Sequence, residues 1–471
     1  MSMNWHNFIY GAFDPAGTVS LDKLPGAFWI QALAVRAFGV HTWVIVAPQA
    51  AEGVLTVLVL YRAVQRLAGP AAGLIAAFVV AVSPATVALN RGNISDSLMI
   101  LLLVLAADAV DGSSDNSVYE QVFVYNGFGR FGDQTPLQLL AGQSIGVGSA
   151  STAPAAGPDR LLRGDLGRAT GWLLPAALVI AAWGIASRRR RPRGDPLRAC
   201  FLLWGGWLAT LVVVFSLTTT INAYYTAALT PAVAALVGAA VATAWSPDRS
   251  AAGRRIGLAA VLALTVGYAA WLVAGGTGAP GWLVPAVIAA GLAAIATVIG
   301  ALAVRNDTMF AAAIAAALVA GSLAPAVASA ELAARHEGAF DTPFEPAREQ
   351  AAIDTLFVQA LAQVELTIPR LEGAQNGAPY LLATQTAALA SVFIYDSGLE
   401  ALPIGGFTGT IPAPTLRQLQ DDIRTGRFHL VLAAASTAPR LRWIAAHCMN
   451  LGNATATLHN YYCLPQDAGR P

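Results

Sequence analysis

Residues 199–217 read ACFLLWGGWLATLVVVFSL, a run without a charged residue. A helix needs roughly 20 predominantly apolar residues to cross the hydrocarbon core of a bilayer, so this run has the character of a membrane span. Seven further apolar stretches resemble it in length: 42–62, 70–89, 170–187, 222–245, 256–274, 281–303 and 308–330. The chain is 56% hydrophobic and 12% charged, whereas a soluble domain carries about twice that share of charge. The sequence therefore predicts a polytopic α-helical membrane protein.

Arginine-rich connections indicate how these spans are oriented. Short loops rich in basic residues stay on the cytoplasmic side, and three connections have this character: 188–193, 248–255 and 305–307. All three are cytoplasmic if the polar loop 112–169 and the chain from Glu331 onward lie outside the cytoplasm. We therefore expect a multi-pass protein of the plasma membrane with an extracytoplasmic C-terminal region.

The short apolar segment 97–111 conflicts with a simple count of crossings. Arg62 and Arg66 place the loop 63–69 inside, so a crossing by 97–111 would leave loop 112–169 on the wrong side. Segment 97–111 also contains Asp108. We expect either that this segment does not span the membrane or that one crossing is missing.

The C-terminal region, 331–471, has the pattern of a small soluble α/β domain. Short apolar runs at 380–384 and 429–433 are typical of buried strands. Apolar residues at helical spacing predict helices over 345–364 and 416–423. Residues 1–330, including the outer loop, then form the membrane domain.

Cysteine is scarce in this chain. Cys448 and Cys463 lie fifteen positions apart in the C-terminal region, where an oxidising compartment favours a disulfide. Such a bond stabilises by about 3 kcal/mol. Cys200 lies in an apolar span and is expected to be inert, and no cysteine or histidine spacing predicts a metal site.

Two polar clusters at the predicted outer surface contain ionisable groups. Asp22 and Lys23 precede an apolar helix, and Lys23 is the only lysine in the chain. A lysine near the membrane suits a phosphate as a point charge, although Asp22 could simply be its local counter-ion. Arg91 and Asp96 lie in the second cluster, 90–96, which is either a functional boundary or an ordinary polar loop.

Two further clusters combine aromatic, amide and basic side chains. Asn126 and Arg130 belong to the stretch Tyr125-Asn-Gly-Phe-Gly-Arg130, a mixture that suits contact with a sugar or phosphate but also occurs in structural loops. Tyr224 and Tyr225 begin a predicted span, where tyrosines also form the interfacial aromatic belt. The sequence contains no nucleotide-binding loop and no zinc pattern, and the net charge of +1 gives no reason to expect nucleic acid as a partner.

Several motifs in order resemble bacterial family 39 glycosyltransferases, membrane enzymes of the GT-C type related to protein O-mannosyltransferases and the lipid A aminoarabinose transferase. The motifs are Trp5-His6-Asn7-Phe8, Gly11-Ala12-Phe13-Asp14-Pro15, Asp22-Lys23-Leu24-Pro25, Asn90-Arg91-Gly92-Asn93 with Asp96, and Tyr125 to Arg130. The C-terminal region is similar to the extracytoplasmic domain of mannosyltransferases at Tyr380 to Gln385, Gly405-Gly406-Phe407 and Pro412 to Leu416.

The resemblance implies a role for each matching residue. Asp22 and Lys23 match the acidic and basic positions of the family's acidic-Lys-Pro-Pro motif, and Asp96 matches the acidic residue before the fourth family helix. It implies that Asp22 and Asp96 are catalytic carboxylates, that Lys23 and Arg91 bind the donor phosphate, and that Asn126, Arg130, Tyr224 and Tyr225 contact substrate. The donor would be a sugar on polyprenyl phosphate, the active site would face outward, and a divalent metal stays open as a cofactor.

The chain departs from the family pattern in ways that predict a shortened member. The family has a first helix and a catalytic outer loop upstream of Trp5, and several helices between residues near 105 and Asp111. Leu24 and Gly92 replace a usual proline and aspartate, and Asn222 stands where histidine is common.

Three functions are compatible with these observations. The first is a membrane glycosyltransferase that moves a mannose-like sugar from polyprenyl phosphate to an acceptor hydroxyl. The second is a non-catalytic relative that binds a glycan or a protein partner. The third, a transporter, predicts polar residues near the middle of broken spans, whereas the charges noted here lie at the outer edge.

Overall fold

The computed structural model describes ten ranges of the chain: 1–2, 4–12, 25–110, 155–218, 221–245, 251–304, 307–345 without 340, 365–405, 414–454 and 458–469. Within them, the chain forms two compact units. The described residues of 42–110 and 155–345 form a helical bundle. Those of 1–41 and 365–469 form the second unit.

The helical bundle contains eleven helices of the described chain. They are α3 (Thr42–Ala68), α4 (Pro70–Ala81), α5 (Pro84–Leu89), α6 (Asp96–Val110), α7 (Gly164–Thr170), α8 (Leu174–Arg188), α9 (Pro196–Leu217), α10 (Thr230–Trp245), α11 (Ala251–Ala274), α12 (Leu283–Val304) and α13 (Asp307–Ala334). Six helical stretches among the described residues are long and apolar enough to cross a membrane: Thr42–Ala68, Gly164–Arg188, Pro196–Leu217, Ala223–Ala244, Leu283–Ala301 and Thr308–Ala334. The expected polytopic helical architecture is confirmed.

Exposed apolar side chains on the bundle surface agree with a lipid environment. Leu102, Leu202, Val213, Leu292 and Val319 are 48–64% exposed although each belongs to an apolar helix. A soluble protein rarely leaves so many large apolar groups in contact with water. A multi-pass membrane protein turns them toward acyl chains.

The expected single span over 70–89 is wrong. Helix α4 ends at Ala81, and a separate short helix, α5, begins at Pro84. Proline has no backbone N–H and its ring crowds the preceding turn, so a helix tends to stop before it. The break makes α5 a separate helix that leads into the polar loop 90–95.

Helix α6 is short and is paired with α3. Its 15 residues, Asp96–Val110, extend about 22 Å at 1.5 Å per residue, less than the roughly 30 Å of a bilayer core. Arg66 Nη1 on α3 lies 2.7 Å from Asp108 Oδ1 near the end of α6. Asp108 is therefore neutralised by a neighbour.

The first part of the second unit is formed by two short helices. Asn4 caps α1 (Trp5–Tyr10) by accepting a hydrogen bond from the Asn7 backbone N–H. Helix α2 (Trp29–Phe38) follows a 3₁₀ turn, and the Trp29 indole donates to the Phe8 carbonyl at 2.9 Å. Trp29 and Phe8 also stack with their ring centroids 5.6 Å apart.

The C-terminal part of this unit is a mixed α/β layer, as expected. Its strands are β1 (Leu382–Thr384), β2 (Ala401–Pro403), β3 (Leu430–Ala434), β4 (Met449–Asn453) and β5 (Leu458–Tyr462), in the order β2-β1-β3-β5-β4. Strands β1, β2 and β3 are parallel, and β5 pairs antiparallel with both β3 and β4. The helices are α14 (365–375), α15 (Ala387–Ser397), α16 (Leu416–Arg424) and α17 (Pro439–His447).

The two expected strands and one of the two expected helices of this region are present. The runs at 380–384 and 429–433 contain β1 and most of β3, and α16 coincides with the expected helix over 416–423. Thr415 caps α16 in a reciprocal capping box with Gln418. The expected helix over 345–364 lies almost wholly outside the described residues.

Cys448 and Cys463 are joined by a disulfide in this structure, with their Cα atoms 4.6 Å apart. The bond links the end of α17 to the residue after β5. Cys200 is buried on α9 and does not belong to a disulfide.

Candidate functional site

Asp96 is a buried carboxylate at the first residue of α6. Its residue is 7% exposed, and Ser95 Oγ donates a hydrogen bond to Asp96 Oδ2 at 3.0 Å. The backbone N–H groups at a helix N-terminus carry a partial positive charge, which stabilises a carboxylate there. The helix thereby holds a negative group at the edge of an apolar bundle.

The loop 90–95 carries Asp96 and also Arg91. The exposed Arg91 Nη2 donates to the carbonyl oxygen of Ala333 at 3.3 Å, in the last turn of α13. A cation at a helix C-terminus is favourable because carbonyl groups are unpaired there. Gly92 lies so close to Ala339 that an added Cβ would come within 2.9 Å of the alanine Cβ. The chain after α13 therefore packs against this loop.

Tyr224 and Tyr225 lie in a 3₁₀ segment, Ala223–Leu229, that precedes α10. Their rings meet edge to face with centroids 4.6 Å apart, and Tyr224 is only 4% exposed. Asn222 Nδ2 donates to the Tyr224 hydroxyl oxygen at 3.4 Å. The Asp96 carboxylate is close enough to interact electrostatically with Tyr224, so the structure brings together two of the predicted site residues.

A narrow crevice beside Tyr224 contains about 190 Å³ not occupied by atoms. Its walls come from α5, α7, the 3₁₀ segment, α13 and the chain that follows α13. The lining residues are Pro84, Ala85, Ala88, Ala169, Ala223, Tyr224, Leu332, Ala339, Asp341 and Pro343. Asp341 is the charged group of this set.

Several acidic residues cluster at the end of α13 and in the chain that follows it. Burial, together with the charges of Asp341, Glu331 and Glu345, raises the pKa of Glu337 from 4.5 to about 7, although Arg335 opposes this rise. Glu337 is 6% exposed. Burial likewise raises the pKa of Glu345, against hydrogen bonds from Thr342.

Four predicted site residues cannot be located. Asp22, Lys23, Asn126 and Arg130 lie outside the described residues. Their assignment to catalysis, phosphate binding and substrate contact stays a prediction.

Gln49 and Glu52 were missed by the sequence analysis. Both lie on α3 and are almost fully buried, at 0% and 3% exposure. Their signal was present, because two polar residues three positions apart share one face of a helix whose first half is mostly apolar. The mean hydropathy of the span 42–62 is high in spite of these two residues, so it does not reveal them.

Metal ligands do not cluster in the part of the chain that the structure describes. No group of three or more His, Cys, Asp or Glu side chains is arranged there to hold an ion. The expectation that a divalent metal could take part therefore stays a prediction.

Two segments of the chain match models of protein families. Residues 22–110 match the family described as "Dolichyl-phosphate-mannose-protein mannosyltransferase". Residues 368–447 match "Putative mannosyltransferase YkcB-like, C-terminal". The first segment contains Asp22, Lys23, Arg91 and Asp96, and the resemblance to membrane mannosyltransferases is confirmed in these two segments.

Two Bacillus subtilis (strain 168) proteins are similar to part of the chain. "Putative mannosyltransferase YycA" is 45% identical over 107 residues, which are 23% of this chain and 16% of that protein. "Putative mannosyltransferase YkcB" is 41% identical over 106 residues, which are 22% of this chain and 15% of that protein. The matched part thus spans about a sixth of the length of these relatives.

A solved structure with some likeness is that of ArnT from Cupriavidus metallidurans in the apo state. The likeness covers 95% of this chain and 88% of that one, at 14% identity and a TM-score of 0.45. The same protein bound to undecaprenyl phosphate gives a TM-score of 0.37. Similarities at this level carry no argument about function.

Proposed function

We propose that this chain, similar in two segments to membrane mannosyltransferases, is a membrane glycosyltransferase. It transfers a mannose-like sugar from a polyprenyl-phosphate donor to an acceptor hydroxyl at the extracytoplasmic face of the plasma membrane. The C-terminal α/β domain lies outside the cytoplasm. The arginine-rich loops 188–193, 248–255 and 305–307 support this orientation.

The observation that carries the proposal is the position of Asp96. This carboxylate is buried at the N-terminus of α6 and interacts electrostatically with Tyr224, within the segment 22–110 that matches a mannosyltransferase family. A general base must lie where an acceptor hydroxyl can reach it. The N-terminus of α6 suits this role because its unpaired backbone N–H groups interact favourably with a carboxylate.

The transfer step exchanges one carbon–oxygen bond for another. The carboxylate of Asp96 or Asp22 takes the proton of the acceptor hydroxyl, and an oxygen lone pair forms a bond to the anomeric carbon. The bond from that carbon to the phosphate oxygen breaks, and its electron pair leaves with the polyprenyl phosphate. No oxidant or reductant is required.

Basic and aromatic groups serve the two substrates in this proposal. Lys23 and Arg91 neutralise the phosphate on which negative charge develops, which lowers the barrier to its departure. Tyr224, Tyr225, Asn126 and Arg130 bind the sugar or the acceptor through ring faces and polar groups. The polyprenyl chain itself needs the surrounding lipid.

The proposal is tested by sugar transfer in membranes that contain the full chain. Radiolabelled mannose is supplied either on polyprenyl phosphate or on a nucleotide. We expect transfer from the lipid-linked donor only, and a loss of about 100-fold in Lys23→Ala because a transition-state charge loses its partner. Arg198→Ala, in the first turn of α9, serves as the control and retains activity.

Absence of transfer from either donor, with protein folded and present in the membrane, would contradict the proposal. The chain would then be the non-catalytic relative, and glycan binding by the C-terminal domain would be the activity to measure. Transfer from the nucleotide donor alone would contradict the proposal that the donor is lipid-linked. The chain would still be a glycosyltransferase.

A further inference from the structure

Helix α3 grips the loop that carries Asp96 through one buried side chain. Gln49 Nε2 donates to the carbonyl oxygen of Ile94 at 2.6 Å. The backbone N–H of Ile94 donates to Gln49 Oε1 at 3.2 Å. One amide thus satisfies both backbone groups of the same residue, as a neighbouring strand would.

The burial of Gln49 makes this pair of hydrogen bonds a strong constraint on the loop. The residue is 0% exposed, so neither partner can exchange readily to water, and a buried polar group left unpaired costs about 1–3 kcal/mol. The loop 90–95 belongs to no helix or strand of the described chain. Its position therefore depends on contacts of this kind.

Gly53, one turn further along α3, lets the same loop approach the helix closely. A Cβ at this position would lie 2.6 Å from Cγ of Asn90. Asn90 Nδ2 in turn donates to the Thr86 carbonyl at 2.8 Å. Gln49 and Gly53 thus contact the end and the beginning of the loop.

The loop ends at the carboxylate that the proposed reaction uses. Ile94 precedes Asp96 by two residues, and Ser95 between them bonds to the Asp96 side chain. A displacement of Ile94 is consequently passed to Asp96 through two peptide units. A misplacement of about 1 Å can cost a reaction about 100-fold.

We infer that Gln49 is a positioning residue, which fixes the Asp96 carboxylate for sugar transfer by binding both backbone groups of Ile94. The inference rests on the proposed function for its effect on rate. Its structural half, the grip on Ile94, is independent of that function.

The test compares Gln49→Met, which keeps the size of the side chain but loses both hydrogen bonds, with Gln65→Met on the same helix. We expect kcat for mannose transfer from polyprenyl phosphate to fall by about 100-fold in Gln49→Met, with KM for the donor unchanged. Gln65→Met stays within about twofold of the wild type, because no hydrogen bond of its side chain is broken near the loop.

A second variant covers the case in which Gln49→Met does not fold. Gln49→Glu keeps an oxygen that accepts from the Ile94 N–H but, when ionised, has no hydrogen to donate to the Ile94 carbonyl. We expect it to lose about tenfold, between the wild type and Gln49→Met. Unchanged kcat in either folded variant overturns the inference.

Hydrogen exchange separates this inference from the proposed function. In the wild type the Ile94 amide is protected by Gln49, and we expect its exchange to accelerate at least tenfold in Gln49→Met but not in Gln65→Met. If the wild type transfers no sugar, the proposed function fails and this measurement still decides whether Gln49 holds the loop. Unaltered protection in Gln49→Met would show that it does not.

Discussion

The two ends of the α3–α6 pair are tied together in different ways. At the end where α6 begins, the buried amide of Gln49 binds both backbone groups of Ile94. At the other end, Arg66 and Asp108 form an ion pair whose arginine side chain is 46% exposed. Gln49 and Arg66 lie about 25 Å apart along α3.

The contrast indicates which end of the helix pair must be held in a fixed geometry. An exposed ion pair contributes about 0–1 kcal/mol and tolerates movement of both side chains. A buried amide with two partners fixes geometry more strictly, because each lost bond leaves an unsatisfied group. The buried hydrogen bonds of Gln49 lie near Asp96, whereas the exposed ion pair contains Asp108.

The largest difference is expected between the two aspartates of α6. Asp96→Asn removes the proposed base, so sugar transfer should fall by about 1,000-fold. Asp108→Asn, about 18 Å away on the same helix, should stay within about twofold of the wild type. Initial rates with saturating lipid-linked mannose measure both, and equal losses would erase the distinction between the two ends.

The pH dependence of stability tests the acidic residues that follow α13, in the chain that packs against the loop 90–95. An acid whose pKa is higher in the folded protein stabilises the fold fully below its unfolded pKa and loses that contribution as the pH rises. For Glu337 the window lies between 4.5 and about 7. At about 1.4 kcal/mol per pKa unit, the loss across this window is about 3.5 kcal/mol.

Glu337→Gln should therefore unfold less readily than the wild type at pH 8, and the two should converge near pH 4. Thermal unfolding in nanodiscs across this range measures the difference. Glu372→Gln, an exposed carboxyl on α14, is the control and should follow the wild type. A constant gap between Glu337→Gln and wild type would contradict the assignment.

A smaller effect is expected where α3 and the loop approach most closely. Gly53→Ala places a methyl group against Asn90, and the overlap should destabilise by about 1 kcal/mol after the gain in helix propensity. Gly206→Ala on α9 meets no atom within 4 Å and should stabilise by about 0.5 kcal/mol. Denaturation midpoints that move in the same direction would refute the close approach.

The smallest effect belongs to the exposed ion pair. Arg66→Gln removes its charge and should cost less than about 1 kcal/mol, with transfer unaltered. High salt should reduce the cost further, since exposed pairs are screened. A loss of transfer as large as that in Gln49→Met would make the two ends equivalent.

The membrane spans were predictable because a bilayer imposes length and apolar composition on every helix that crosses it. Strands β1 and β3 were predictable for a related reason, since both are buried apolar runs. Strand β4 was not, because its five residues are all exposed and include two asparagines and a glycine. Its place depends on pairing with β5, which no local pattern reveals.

The candidate site was predictable only in part. Asp96 was found because an ionisable group at the boundary of an apolar run is conspicuous, and Tyr224 and Tyr225 were found because they begin a span. The contact between Gln49 and Ile94 joins residues 45 positions apart, and sequence periodicity describes neighbours within one helix. The role of Pro84 was overlooked because 70–89 was judged by hydropathy alone.

A double-mutant cycle of Gln49→Met and Asp96→Asn tests the central claim most directly. If Gln49 acts on sugar transfer through Asp96, the second substitution adds nothing once the carboxylate is gone. We predict that the double variant transfers mannose within about twofold of Asp96→Asn alone, since the lost rate is then shared. If the two substitutions instead reduce the transfer rate independently, so that their fold-losses multiply, Gln49 does not act through Asp96. That result would contradict the claim that the hydrogen bonds from Gln49 to Ile94 position the carboxylate.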